Sequence, residues 1–129
     1  MIGKTIKSII TTDVSLIALV PAARMFPYVM NEDTPLPALV YTIDSIVPDY
    51  NKGGWANDGI SFSIHSFARS YDSLQSIVSA VRNALEMTNT GSGTQDIGMI
   101  TLNSFEEGYD QGADVFYNKL TFNVTINTY

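Results

Sequence analysis

The sequence predicts an α+β domain: an antiparallel sheet of four or so strands, covered on one face by a main helix over 71–87 and two short N-terminal helices. Three observations carry this. Ile60, Phe62 and Ile64 alternate with Ser61, Ser63 and His65, the period of a half-buried strand. Leu74, Ile77, Val78, Val81 and Leu85 follow at helical spacing. Near the end of the chain Phe116, Leu120, Phe122, Val124 and Ile126 alternate with Tyr117, Lys119, Thr121, Asn123 and Thr125.

In chain order, Ile2, Ile6, Ile9 and Ile10 mark a short amphipathic helix ending near Thr11 and Thr12. Thr12 or Asp13 can cap a second helix over 14–20, which Pro21 stops. The run 25–29 is an edge strand in which Pro27 is tolerated. Residues 31–35 form a loop, and Pro35 and Pro37 hold the chain extended into a strand over 38–47. The stretch 48–59 is rich in turn formers and exceeds the 2–5 residues of an ordinary hairpin loop. It therefore reads as a projecting arm, with Asp49, Tyr50, Asn51, Lys52, Gly53, Gly54 and Trp55 as candidate assembly residues.

The strand over 60–67 leads to Ser70, a good helix N-cap, with Asp72 favourable at the positive end of the dipole. Five buried side chains at about 1.5–3 kcal/mol each make the helix that follows the main cover of the sheet. Residues 89–94 read as a linker and 97–105 as a strand. Glu106, Glu107, Asp110 and Asp114 lie in an acidic turn region before the last strand, where the inward polar Asn118 marks a candidate bulge.

The 129 residues make one domain, long enough to bury roughly two-thirds of the surface of the unfolded chain. Only 16% are charged, against about 25% in typical globular chains, while 45% are hydrophobic and 11% aromatic. Such a chain folds, and on composition alone its polar, weakly charged surface suits burial by other subunits and a soluble monomer equally well. The net charge is −6, and no basic residue lies between Arg82 and Lys119, a gap that holds Asp96, Glu106, Glu107, Asp110 and Asp114. Stable nucleic-acid binding is not expected, because it needs clustered Lys and Arg to displace counterions. Without cysteine there are no disulfides, thiolate nucleophiles or zinc–thiolate sites. Lys4 and Lys7 precede an apolar stretch that barely reaches signal-peptide length, which two short helices explain better. No run approaches the about 20 apolar residues of a membrane span, so a soluble chain is expected.

Candidate chemistry is sparse. His65 is the one histidine; Ser61 and Ser63 are its strand neighbours, but no acid is positioned to orient it, and a polar residue on the less buried sheet face is the simpler reading. The acidic cluster lacks the ligand spacing of a calcium loop and reads as a solvated turn. Gly53-Gly54 and Gly91-Ser92-Gly93 lack the context of phosphate loops, and Asn123-Val124-Thr125 falls inside a strand. Trp55 is either a binding hot spot or a satellite core residue. No catalytic, metal or cofactor-binding residue is assigned, and no cofactor is expected.

The order of several short motifs resembles the tail terminator (tail completion, tail-to-head joining) family of long-tailed bacteriophages and prophages. These are Arg24-Met25-Phe26-Pro27, Pro35-Leu36-Pro37-Ala38-Leu39-Val40-Tyr41, Ile64-His65-Ser66-Phe67-Ala68-Arg69-Ser70-Tyr71-Asp72, Val81-Arg82-Asn83-Ala84-Leu85, Phe105-Glu106-Glu107-Gly108-Tyr109-Asp110 and Phe116-Tyr117-Asn118-Lys119-Leu120-Thr121-Phe122. The resemblance spans nearly the whole chain, 1–129, as a single domain. It implies a homo-oligomeric ring, usually of six subunits, that caps the tail tube and joins it to the head connector, with tail-tube and connector proteins as partners. DNA passes through such a ring. It implies no catalytic residues, and a location in the virion or, during assembly, the host cytoplasm. Two other readings stand beside it: another ring-forming connector or tail-tube component, and a small ligand-binding or enzymatic domain using His65 and the acidic turn.

Overall fold

The computed structural model describes residues 2–29, 35–50, 56–86, 96–97 and 100–128. The element order is α1 (Ile2–Thr12), α2 (Val14–Leu19), a 3-10 turn (Ala22–Arg24), β1 (Met25–Pro27), β2 (Ala38–Tyr50), β3 (Ala56–Ala68), α3 (Tyr71–Leu85), β4 (Asp96–Ile97), β5 (Thr101–Asp110) and β6 (Val115–Thr128). The expected α+β class holds. Four long antiparallel strands carry the sheet, in the order β2-β3-β6-β5; short β1 adds in parallel to β2, and β4 pairs the far end of β6.

Local chemistry explains the helices. Asp13 caps α2, its Oδ1 accepting from the Leu16 amide at 2.9 Å. Ser70 caps α3 by accepting from the Ser73 amide at 3.2 Å, with Asp72 in the first turn and Arg82, paired with Glu86, in the last. Leu74, Ile77, Val78, Val81 and Leu85 are all buried. They meet Ile60, Phe62, Ile64, Leu120, Phe122 and Val124 on one face of the sheet, and Ile6, Ile10 and Leu16 from α1 and α2 close the same core. At its centre Phe62 and Phe122 sit directly opposite on β3 and β6, with ring centroids 5.4 Å apart.

Several boundaries differ from the sequence expectations. The stretch 48–59 is not an irregular loop: β2 and β3 stay paired from Val47–Gly59 through Pro48–Asp58 and Asp49–Asn57 to Tyr50–Ala56. Pro48 is accommodated because β2 has no second neighbour there among the described residues, so its missing N–H leaves no ladder position empty. The strand expected over 97–105 is displaced toward the C-terminus, so that Glu106, Glu107 and Asp110 belong to β5 and only Gln111 to Asp114 turn. Asn118 marks no bulge, since the β3–β6 register runs unbroken through Ser66–Asn118. The bulges lie at Asp44 and Asn103 instead. Each extra residue turns a three-residue apolar spacing, Ile43 to Ile46 and Leu102 to Phe105, into same-face neighbours.

Ser66 and Asn118 face the helices, almost wholly buried, and neither side chain has a hydrogen-bond partner among the described residues. An orphaned hydroxyl carries its desolvation cost with no return. Ser66→Ala is therefore expected to leave the protein as stable as wild type or up to about 1 kcal/mol more stable in urea melts. A loss of more than about 1 kcal/mol would show instead that this pair holds a buried bridging water.

Candidate functional site

The face of the sheet away from the helices carries polar side chains. Asp44, lifted out of the ladder by its bulge, accepts hydrogen bonds from the Thr42 hydroxyl at 3.0 Å and from the Ser63 hydroxyl. Ser63 in turn lies 3.2 Å from the Thr121 hydroxyl, giving a polar string across three strands. His65 lies 3.5 Å from Thr42. The order of a nucleophilic triad is broken, because the carboxylate meets the serine rather than the imidazole. The string locks the strands in register by cross-strand hydrogen bonds.

Partial burial, reinforced by Lys119 and opposed by Asp44, holds the His65 imidazole below its ordinary pKa of 6.5. The unfolded chain thus takes up this proton more readily than the folded one. Stability is unaffected above pH 6.5 and falls as the pH drops from there toward the folded value. His65→Gln is expected to lessen the acid-side fall in Tm relative to wild type. Parallel pH–Tm curves for the two proteins would contradict this.

The acidic residues do not form one site. Glu107 accepts from the Tyr71 hydroxyl at 3.1 Å and from Gln75 Nε2 at 3.0 Å, clamping β5 to the start of α3. That carboxylate also raises the Tyr71 pKa, through the hydrogen bond first and its charge second. Asp110 accepts from the amides of Gly112 at 3.0 Å and Ala113 at 3.4 Å, and Asp114 accepts from the Tyr109 hydroxyl. Glu106 lies across from Lys119 in the ladder. No three of the described His, Asp or Glu residues gather as metal ligands. The four carboxylates nevertheless give this hairpin a strongly negative edge.

Of the candidate arm, Asp49 and Tyr50 lie in β2, while Asn51, Lys52, Gly53, Gly54 and Trp55 fall outside the described residues. The paired ribbon leaves only 51–55 as the connection, within the usual range for hairpins. A feature not read from the sequence is a groove of about 760 Å³ beside the free edge of β2, lined by Lys4, Lys7, Tyr28, Tyr41, Ile43 and Ile46 among others. Tyr28 takes a positive φ of 62°, a strained setting for a bulky residue, and its hydroxyl receives the Ile43 amide at 3.4 Å. The three-residue spacing of Ile43 and Ile46, together with Lys4 and Lys7 on one helical face, was the available sequence signal.

No described helix is long and apolar enough to cross a membrane. No curated protein sequence matches the chain. Among solved structures, a chain from the "Virion of native gene transfer agent (GTA) particle" superposes with a TM-score of 0.82 at 14% identity, over 95% of this chain and 92% of that one. At that identity the likeness speaks for the fold. The family model "Tail completion protein gp17" matches residues 5–127, nearly the full length, and the chain therefore belongs to the tail completion protein gp17 family.

Proposed function

We propose that this chain is the tail terminator subunit of a bacteriophage or prophage, forming a ring, of six copies in the usual arrangement, that caps the finished tail tube and joins it to the head connector. Family membership already carries a structural role in tail assembly. The observation that most supports the ring is the pair of open sheet edges. β2 beyond Tyr41 and the outer side of β5 lack a strand neighbour among the described residues. Ile46, Val47, Phe105 and Tyr109 are left exposed on these strands. Edges of this kind are usually blunted in monomers, whereas a head-to-tail contact between two different edges closes into a ring when its rotation permits. The subunit resides in the virion, and in the host cytoplasm during assembly.

The acidic balance suits a channel through which DNA slides without sticking. Tail-tube protein incubated with this protein is expected to give tubes capped at one end by rings in electron micrographs. The free protein is expected to leave DNA unretarded at low salt. A strict monomer that never joins tubes would overturn the ring and capping roles; tight, salt-sensitive DNA retention would overturn the electrostatic reading.

A further inference from the structure

The two open edges differ in character. On the β2 side, the groove joins an apolar floor of Tyr41, Ile43 and Ile46 to the ammonium groups of Lys4 and Lys7, and no carboxylate among the described residues lines it. Both lysines are exposed, and neither has an ion-pair partner among the described residues. On the β5 side, Phe105 and Tyr109 point to the same sheet face as the groove floor, at 50% and 43% exposure, amid Glu106, Glu107, Asp110 and Asp114. On the helix-bearing face, the β2 edge is thus apolar and basic, Asp44 being turned to the other face, and the β5 edge is aromatic and acidic through Glu107. Strand directions agree as well: β2, β3, β6 and β5 alternate, so β5 of one copy laid beside β2 of another runs antiparallel and continues the sheet.

We propose that the occupant of the α1–β2 groove is the β5–β6 hairpin of a second copy of this chain. Phe105 of that copy seats on the Ile43–Ile46 floor, and Glu107, the β5 carboxylate on the same sheet face, turns toward Lys4 and Lys7. The inference rests on the ring reading above and names the surfaces that would build the ring. Phe105 and the groove floor supply the apolar burial, and the opposed charges steer the edges together and disfavour the wrong pairings of β2 with β2 or β5 with β5. Tyr28 fits this arrangement, since its hydroxyl already occupies the Ile43 amide and leaves the edge from Ser45 onward for the incoming strand. The contact is heterologous, each copy using one edge to give and the other to receive, as ring closure requires.

Because the chain has no cysteine, disulfide trapping tests this without background. An Ile46→Cys protein is mixed with a Phe105→Cys protein and oxidised, both free at high concentration and on tail tubes. A control mixture pairs Ile46→Cys with Asn83→Cys, an exposed position on α3. The expected result is a covalent 46–105 dimer at a yield at least about tenfold above control, lowered about as much by Lys4→Glu with Lys7→Glu, since like charge then faces like charge. Thermal melts verify that each variant is folded. A 46–105 yield equal to control under both conditions would overturn the docking, as would a yield that the lysine reversals leave unchanged. The two proposals fail separately. Protein that co-sediments with tubes but forms no 46–105 dimer refutes this interface and leaves the capping role standing; protein that never joins tubes refutes the role.

Discussion

Phe122→Ala is expected to destabilise the protein by about 3–5 kcal/mol, a large share of the about 5–15 kcal/mol that holds a typical domain folded. Phe122 is fully buried at the middle of β6, opposite Phe62, and faces the apolar stripe of α3. Truncation removes the transfer free energy of the ring, leaves a cavity that neighbours on two layers cannot collapse into, and forfeits the stacked contact with Phe62, itself worth about 0.5–1.5 kcal/mol. Urea melts should show the midpoint falling with little change in slope. Phe105→Ala is the internal control: its side chain is half exposed, and the cost should stay within about 0.5 kcal/mol. If the two substitutions cost the same, the core does not lie between α3 and the β3–β6 pair.

Trp55→Ala is expected to do the reverse, leaving Tm nearly unchanged while reducing tube capping about tenfold or more, the effect of losing an aromatic anchor at an interface. In sequence Trp55 falls between the last residue of β2 and the first of β3, whose paired ribbon extends past the last residue of β1 on β2. A large aromatic kept in water forgoes about 1.5–3 kcal/mol, which contact with a neighbouring subunit or the tail tube would recover. Replacing 51–56 by a tight turn should have the same outcome, because the ribbon below retains its pairing. The measurement is a thermal melt beside a tube co-sedimentation assay. Loss of several kcal/mol of stability with normal assembly would make Trp55 a core residue and the arm a piece of scaffold.

Elements with strong periodicity were legible in the sequence. The α3 stripe from Leu74 to Leu85, the Ser70 and Asp13 caps, and the alternation in β3 and β6 all appear where their spacing places them. Turn composition misled at 48–59, where Pro48 and Gly59 look like loop residues but belong to paired strands: Pro48 is tolerated on the edge strand β2, and Gly59 on the central strand β3 keeps its backbone pairing with Val47 and Thr125. Glu106 and Glu107 look like turn residues for a similar reason: charge marks exposure, and the outer strand of a sheet is exposed as fully as a turn. The bulges at Asp44 and Asn103 were hidden because a strict two-residue period has no place for an extra residue, although the three-residue spacing of apolar side chains on each strand records it.

By itself, then, the sequence determined the α+β class, the helix face that builds the core, the lack of cysteine chemistry and the negative charge that disfavours nucleic acid. All of these follow from local period, capping or composition, which one stretch of chain carries alone. Only the tertiary structure decided that Lys4, Lys7, Tyr28, Ile43 and Ile46 share one groove. It also decided that Glu107 clamps β5 to α3, that Asp44 takes the Ser63 hydroxyl, and that a basic edge and an acidic edge stand on opposite sides of one sheet. Each joins residues far apart in sequence, and strand order and register, set by burial across the whole sheet rather than by any local preference, bring them together.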